Sequence, residues 1–344
     1  MTEPLRPIEW TGSAIRVIDQ TELPGLLVRI NLETVDDLVD AVVRLAVRGA
    51  PQLGAVGALG VGLAMVQGQR DGWDASALDE AIDRIRAARP TAVNLAWGVD
   101  RVRPLVALGV RAVVAAAQAV IEEDERNNHE IGRRGADWIQ ARVPGRVRVL
   151  THCNTGALAT TEWGTALGVI RELHARDALE VVYADETRPL LQGARLTAWE
   201  LLRDGIPHVV QVDGAAASTI LRHLVDVAII GADRIAANGD TANKIGSVGV
   251  AVACHYAGIP LVVAAPESTI DVSTASGDAI PIEMRGDDEV LNWGGIRTAP
   301  QGSRAHNPAF DVTPARLIAA IVTELRVVEP PVGQVPDERP RGSA

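Results

Sequence analysis

Residues 147–156 read VRVLTHCNTG, a five-residue run dominated by valine and leucine that stops at a polar cluster. Short β-branched runs closed by turn-forming residues are strand signals. The same form returns downstream as EVVYA at 180–184, HVVQV at 208–212, VDVAII at 225–230 and PLVVAA at 260–265, with a helical stretch after each. Strands alternating with helices are the sequence form of repeated strand-helix-strand units, and five in series predict a parallel sheet with helices on both faces. Ligands in such sheets bind where the carboxyl ends of the strands open into a crevice, so polar residues are expected there. Each run is indeed followed by one such cluster: HCNTG, DETRP, DGAAA, GADR and APEST in turn. Five clusters in series point to one shared site.

Upstream of Gly145 the pattern is mostly helical. Between Leu32 and Val47 the apolar residues Val35, Leu38, Val42, Val43, Leu45, Ala46 and Val47 recur at helical spacing, ending at Gly49. After the loop RGAPQLG, residues Ala55 to Met65 predict a helix of small residues able to pack closely on a neighbour. Further helices are expected at Ala75 to Ala88, after the turn RPTAVNL, and from Val110 to Ile139. The fold class expected is α/β: a mainly helical N-terminal domain over residues 1–145, then a Rossmann-like parallel-sheet domain over 146–326. Residues 327–344, VVEPPVGQVPDERPRGSA, are rich in proline and charge and read as a flexible tail.

Composition narrows the function. The 344 residues are 47% hydrophobic and 22% charged, ordinary for a folded globular protein, and long enough for two domains. With 33 basic and 44 acidic residues the net charge is −11, and no basic run offsets it, which disfavours nucleic acid as a partner. The ten aromatic residues are too few for a row of base-stacking platforms. Cys153 and Cys254 form no CxxC pair, so neither a disulfide framework nor a zinc site is expected, and a reducing cytoplasm fits. The N-terminal MTEPLRPIEW has no export pattern, and no uninterrupted apolar stretch of membrane-spanning length occurs, so neither export nor anchoring is expected.

Several residues invite chemistry. Cys153 at a strand end reads either as a small packing residue or, near a predicted helix N-terminus, as a thiol whose anion is favoured by the helix dipole. His152 would point to the opposite face and reads as a packing or hydrogen-bonding histidine. Asp233, just past an all-apolar strand, reads either as a proton-holding carboxyl in desolvating surroundings or as a structural carboxylate paired with Arg234. Asp185 and Glu186 invite the same question, with an ion pair to Arg188 the default. No Walker sequence and no GxGxxG after a strand are present, which weakens nucleotide readings. Arg48 with the amides of Gly49 and Ala50 precedes a helix, a combination that can hold an anion, and Arg89 offers a second guanidinium. Gln192, Asn243 and Lys244 follow the crevice and can bond sugar hydroxyls. Lys244, at a predicted helix start, is oddly placed for a purely structural cation.

Taken together, RGAPQLG, RPTAVNLAWG, THCNTGALAT, DETRPLLQGARLTAWEL, IIGADRIAANGDTANKIG, IPIEMR and NPAFDVTPARLIAAIVTEL closely resemble the methylthioribose-1-phosphate isomerases of methionine salvage. The resemblance runs from about residue 5 to residue 325, in the family's motif order. It implies a fold shared with ribose-1,5-bisphosphate isomerases and with regulatory subunits of a translation-initiation exchange factor. It further implies that Cys153 and Asp233 are catalytic, and that Arg48, Gly49, Ala50, Arg89, Gln192, Asn243 and Lys244 bind a sugar phosphate. A homodimer is implied; no cofactor is expected, and no metal, because no ligand cluster with suitable spacing appears. The chain departs from the pattern at Glu162 and Trp163, where relatives commonly have glycine and tyrosine, in DGAAASTI, which lacks an expected methionine, and in TELRVV, which lacks a glycine. The first two bear on the pocket for the sugar's 5-substituent, so isomerases of 5-deoxyribose 1-phosphate or ribose 1,5-bisphosphate stay open beside the main reading. A noncatalytic sugar-phosphate or nucleotide sensor is the competing class.

Overall fold

The computed structural model describes residues 4–89 and 93–330. The chain divides into two compact units: Met1–His129 with Thr155–Gly164, and Glu130–Asn154 with Thr165–Ala344. The sequence pattern changes at Gly145, whereas this division falls inside one long helix, and a ten-residue segment beyond Asn154 returns to the first unit.

The first unit opens with an antiparallel sheet of β1 (Ile8–Trp10), β2 (Ile15–Ile18) and β3 (Arg29–Leu32), with Ile8 opposite Val17 and Val17 opposite Ile30. These strands lie where no strand was expected, because they are three or four residues long and interrupted by charges. Helices α1 (Val35–Val43), α2 (Ala50–Asp71), α3 (Ala75–Ala87) and α4 (Val93–Val102) follow, and α5 (Val110–Gln140) leads out. Leu32, expected to open the first helix, instead closes β3. Thr34 starts α1 through a reciprocal capping box with Asp37. As its glycine and alanine content suggests, α2 is a core helix: Gly54 meets Gly98 of α4 backbone to backbone. By length and composition α2 would suit a membrane, but 78% of that window is buried inside the protein. Its Leu53, Val56, Leu59 and Leu63 pack with Leu38, Ile82, Leu95 and Val113 in one core.

The second unit alternates as the apolar runs require. Strand β4 (Val147–Thr151) is followed by α6 (Ala166–Ala175), β5 (Leu179–Asp185), α7 (Ala198–Arg203), β6 (His208–Gln211), α8 (Ala216–Leu221) and β7 (Val227–Ile230). Then come β8 (Arg234–Ala236), β9 (Thr241–Lys244), α9 (Ser247–Ala257), β10 (Leu261–Ala264) and β11 (Ile270–Asp271). The chain continues through α10 (Asp288–Leu291), β12 (Asn292–Trp293), β13 (Ile296–Arg297), β14 (Phe310–Thr313), β15 (Ala320–Val322) and β16 (Val327–Val328).

A seven-stranded sheet has the order β16-β15-β10-β7-β4-β5-β6, parallel except where β16 meets β15. All five expected runs stand side by side in it. Side chains alternate across two cores: Val149, Val227, Ile229 and Val262 pack on one face, and Leu150, Ala228, Ile230 and Val263 on the other. Burial on both faces is why these strands read as continuous apolar runs rather than alternating ones.

The expected tail needs correction at its start. Val327 and Val328 pair with Val322 and Ile321, and the Glu329 carboxylate accepts the Trp138 indole N–H at 2.6 Å. Proline-rich composition misled here because two valines suffice for an edge strand. The remainder of that expectation, residues 331–344, lies outside the described residues. A second sheet, β11-β8-β9-β14, is built from segments for which no strand was expected. It makes Lys244 the last residue of β9, with α9 beginning at Ser247, so Lys244 is not at a helix start.

Candidate active site

Strand β4 is tied to its neighbour at its carboxyl end, where the Thr151 hydroxyl donates to the Ile229 carbonyl at 2.8 Å. Two residues later Cys153 adopts a left-handed φ of 67°. Such a backbone is uncommon for anything but glycine, and it persists only where surroundings impose it. Here both halves of the residue are gripped. The Cys153 N–H donates to Thr187 Oγ1 at 2.8 Å, and the Thr197 hydroxyl donates to the Cys153 carbonyl at 2.6 Å. The residue is 7% exposed. The expected helix after Cys153 is only a three-residue 3-10 turn, Ala157–Ala159, and α6 starts at Ala166, so the next element supplies no long helix dipole to the thiol.

His152 is buried and hydrogen-bonded, as the sequence suggested. Its Nδ1 lies 3.0 Å from Asp185 Oδ2 and its Nε2 lies 2.8 Å from the Ile245 carbonyl. Burial pulls the imidazole pKa down, but the Asp185 carboxylate and the Ile245 carbonyl outweigh it, leaving the value above 6.5. Burial likewise raises the Asp185 pKa, against the opposing pull of His152. Both shifts mean that the pair holds its proton tightly. The expected Asp185 to Arg188 ion pair is replaced by this one: Asp185 accepts also from Gln211, while Arg188 donates to the carbonyls of Pro189, Glu289 and Val290 and lies over Trp293.

Ile245 belongs to the turn between β9 and α9, so His152 joins that turn to the tip of β4. Asn243, buried, donates to Ser247 Oγ at 2.9 Å. Lys244 Nζ donates to the Ala309 carbonyl at 3.0 Å and lies 4.3 Å from the centre of the Phe310 ring. Asp233 is half-buried, and its N–H donates to the Ala242 carbonyl, next to Asn243. Arg234 lies 3.7 Å from Asp271. Gln192, buried, precedes the π-helical segment Gly193–Thr197 whose last residue holds Cys153, and its Oε1 has no hydrogen-bond partner among the described residues. Hydrogen bonds therefore link the loops after β4, β5 and β6 and the β9–α9 turn, and Asp233 joins through β9. The fifth cluster behaves differently: Glu267 N–H donates to the Glu324 carboxylate and Glu267 accepts from Arg326, so APEST serves the β15–β16 connection.

In the first unit, Arg48, Gly49 and Ala50 stand where α2 begins. Gly49 caps the helix with φ 95°, and a β-carbon there would lie 2.4 Å from the Ala159 carbonyl oxygen, so only glycine fits. Arg48 Nε donates to Gln20 Oε1 at 3.0 Å, and Gln20 Nε2 donates to the Leu158 carbonyl at 2.7 Å. The first turn of α2 holds no acidic residue, so its own sequence supplies no carboxylate to the positive end of the helix dipole. Arg89 is half-buried two positions past the end of α3; residues 90–92, where the sequence predicts a turn, lie outside the described residues. Glu162 accepts from Arg6 at 3.3 Å, and Trp163 stacks on His129 with ring centres 4.4 Å apart.

Among the described residues one group has metal-type donors close together, His152, Asp185 and Asp213, within 4.8 Å of one another. Those atoms already serve the protein: the first two bond each other, and Asp213 accepts the N–H groups of Thr187 and Arg188, each at 2.7 Å. Thr187 and Asp213 were not singled out from sequence. The only signal was a threonine inside a polar cluster after a strand, which does not reveal its partner.

The parallel sheet with polar residues gathered at its strand ends defines an α/β protein of the class that handles small ligands at the carboxyl edge. Over residues 46–330 the sequence matches the initiation factor 2 subunit family, and the chain belongs to that family. It is 51% identical to a Nocardia farcinica protein named as a probable bifunctional methylthioribose-1-phosphate isomerase/methylthioribulose-1-phosphate dehydratase, over 97% of this chain but 62% of that protein. The chain thus spans under two thirds of that relative. It is 48% identical to the 5-deoxyribose 1-phosphate isomerase of Moorella thermoacetica, with 97% of each chain covered. The crystal structure of 5-methylthioribose 1-phosphate isomerase from Pyrococcus horikoshii OT3 superimposes with a TM-score of 0.86 at 38% identity, covering 96% of this chain and 94% of that one.

Proposed function

We infer that the protein is an aldose–ketose isomerase that converts 5-methylthioribose 1-phosphate into 5-methylthioribulose 1-phosphate in methionine salvage. The observation that carries this reading is its near full-length likeness, in sequence and in fold, to the Pyrococcus isomerase. The substrate's anomeric oxygen carries phosphate, so the ring cannot open by simply releasing an aldehyde. Asp233, as the acid, protonates the ring oxygen while the C1 to ring-oxygen bond breaks. The Cys153 thiolate takes the C2 proton, giving an enol; the C2 hydroxyl then loses its proton as C1 gains one. Arg48, Gly49, Ala50 and Arg89 hold the phosphate, and Gln192, Asn243 and Lys244 hold the sugar hydroxyls. In the rival route hydride moves from C2 to C1 in a dry, apolar pocket and Cys153 is a positioning group. Turnover in deuterated water separates the two: label at C1 of the product supports proton transfer through an exchanging base, and none supports hydride.

The Moorella relative's name favours one second reading, 5-deoxyribose 1-phosphate as substrate. Competition between the two sugar phosphates in one assay chooses by the ratio of kcat/KM. A folded protein that turns over neither would overturn the isomerase reading and favour a sensing role. We further read the protein as a metal-independent, cytoplasmic homodimer that binds neither nucleic acid nor membrane. The net charge of −11 and the exposed Val209, Val210 and Val212 at the edge of the sheet support that reading.

A further inference from the structure

We propose that Thr187 and Thr197 are positioning residues for the isomerase reaction, a pair of buried hydroxyls that hold Cys153 in its left-handed conformation and so fix the direction in which its Cα–Cβ bond leaves the chain and carries the thiol. The inference rests on Cys153 acting in that reaction. Left to itself, a cysteine at the end of a strand would stay extended. Here its N–H ends on Thr187 Oγ1 at 2.8 Å and its carbonyl receives the Thr197 hydroxyl at 2.6 Å, and neither threonine is exposed. Both peptide groups of one residue are thereby satisfied by side chains rather than by a strand partner.

Thr187 is itself held. Its own φ is 63°, the left-handed region that a β-branched side chain enters only under constraint. The constraint is Asp213, which stands just after β6 and accepts the successive N–H groups of Thr187 and Arg188, one on each carboxylate oxygen, at 2.7 Å. The Thr187 hydroxyl in turn donates to the Asp185 carbonyl at 3.1 Å, which leaves its lone pairs directed to the Cys153 N–H. The segment that brings in Thr197 passes so near that a β-carbon at Gly193 would lie 1.7 Å from the Asp185 carbonyl oxygen and 2.9 Å from Thr187 Oγ1. The loop after β5 and the segment before α7 thus meet on the backbone of one cysteine, and Asp213 after β6 acts on it through Thr187. A hydroxyl needed only to fill buried space would be replaceable by a methyl group; one that sets the direction of a reacting thiol would not be.

The experiment compares Thr187→Val, which keeps the branched shape without the hydroxyl, with Thr187→Ser, which keeps the hydroxyl. Steady-state kinetics with methylthioribose 1-phosphate are measured beside the rate of Cys153 alkylation by iodoacetamide, followed on its peptide by mass spectrometry. Valine is expected to lower kcat by roughly a hundredfold, as for an ångström-scale misplacement of a reacting group. KM should stay within about twofold, and serine should restore kcat to within about threefold of wild type. The alkylation rate should change with valine and return with serine. A folded valine variant with normal kcat overturns the proposal, as does a serine variant as slow as valine. Should Thr187→Val fail to fold, Thr197→Val and Thr197→Ser decide by the same criteria. If Cys153→Ser proves fully active, the catalytic reading of Cys153 falls, and the alkylation rates alone then decide whether the threonines direct the thiol.

Discussion

His152 Nε2 stands 2.8 Å from the Ile245 carbonyl oxygen while Nδ1 stands 3.0 Å from Asp185 Oδ2, so the ring meets acceptors on both sides. A carbonyl cannot donate, so Nε2 carries a hydrogen, and the second bond needs another proton between ring and carboxyl. The buried pair is therefore neutral as a unit, with one proton more than a neutral imidazole beside a carboxylate. Removing that proton would leave an unpaired buried anion and two acceptors face to face, which is costly.

Stability should consequently fall as pH rises. His152 has its folded pKa above 6.5, so the stabilisation from its charged form is complete below 6.5 and is lost as pH climbs through the folded value. The raised Asp185 acts in the same direction, since the folded state again binds protons more tightly. Asp213 and Asp311 also face the ring electrostatically, and Cys254, pushed up to about 12 by burial, does not titrate in this range. Thermal melting between neutral and mildly alkaline pH should show a decline that Asp185→Asn flattens. Parallel curves for the two proteins would assign the decline to other groups.

Cys153→Ser and Asp233→Asn should each lower kcat by orders of magnitude with KM little changed, the pattern of groups that act in the transition state. Initial-rate kinetics on folded variants check this, and near-normal turnover in either removes its assigned role.

Arg171 donates to Glu200 Oε2 at 2.8 Å and to Asp204, while Asn154 donates to Glu200 Oε1 at 2.9 Å; the Glu200 side chain is wholly buried. Arg171→Met should cost about 3–5 kcal/mol, because it strands a buried carboxylate. Urea denaturation measures the loss, and a change below about 1 kcal/mol would show that the carboxylate is compensated another way.

Gly49→Ala places a methyl group against the Ala159 backbone at a φ that alanine avoids. It should destabilise the protein by about 1–3 kcal/mol and raise KM, since the amide beside Arg48 must shift. Melting and kinetics test the two effects separately. A stable variant with unchanged KM would take the helix start out of the proposed phosphate site.

How much of this was legible before any coordinates follows from where each signal is stored. Ile229 and Ile230 sit in one apolar run because a strand covered on both faces must be apolar at every position, so hydrophobic burial wrote β7 and β10 directly into local composition, while β4, β5 and the edge strand β6, whose Val209 and Val210 are exposed, were legible from their β-branched residues. The small residues of α2 carried close helix packing in the same way. Motif resemblance carried the family. Strands such as β1, β8 and β16 left no such mark, since two to four residues at an edge or in a minor sheet bury too little to impose a pattern. The partners of the polar residues were likewise unreadable. Asp185 has Arg188 three positions away, yet it bonds His152, thirty-three positions back, because β4 and β5 are neighbours in the sheet. The left-handed turn at Cys153 depends on hydroxyls at 187 and 197, and hydrogen bonds between loops are set by the packing that brings them together. Residue identities determined which chemistry was available; tertiary structure alone decided which donor meets which acceptor, because hydrogen bonds act over about 3 Å and chain separation says nothing at that range.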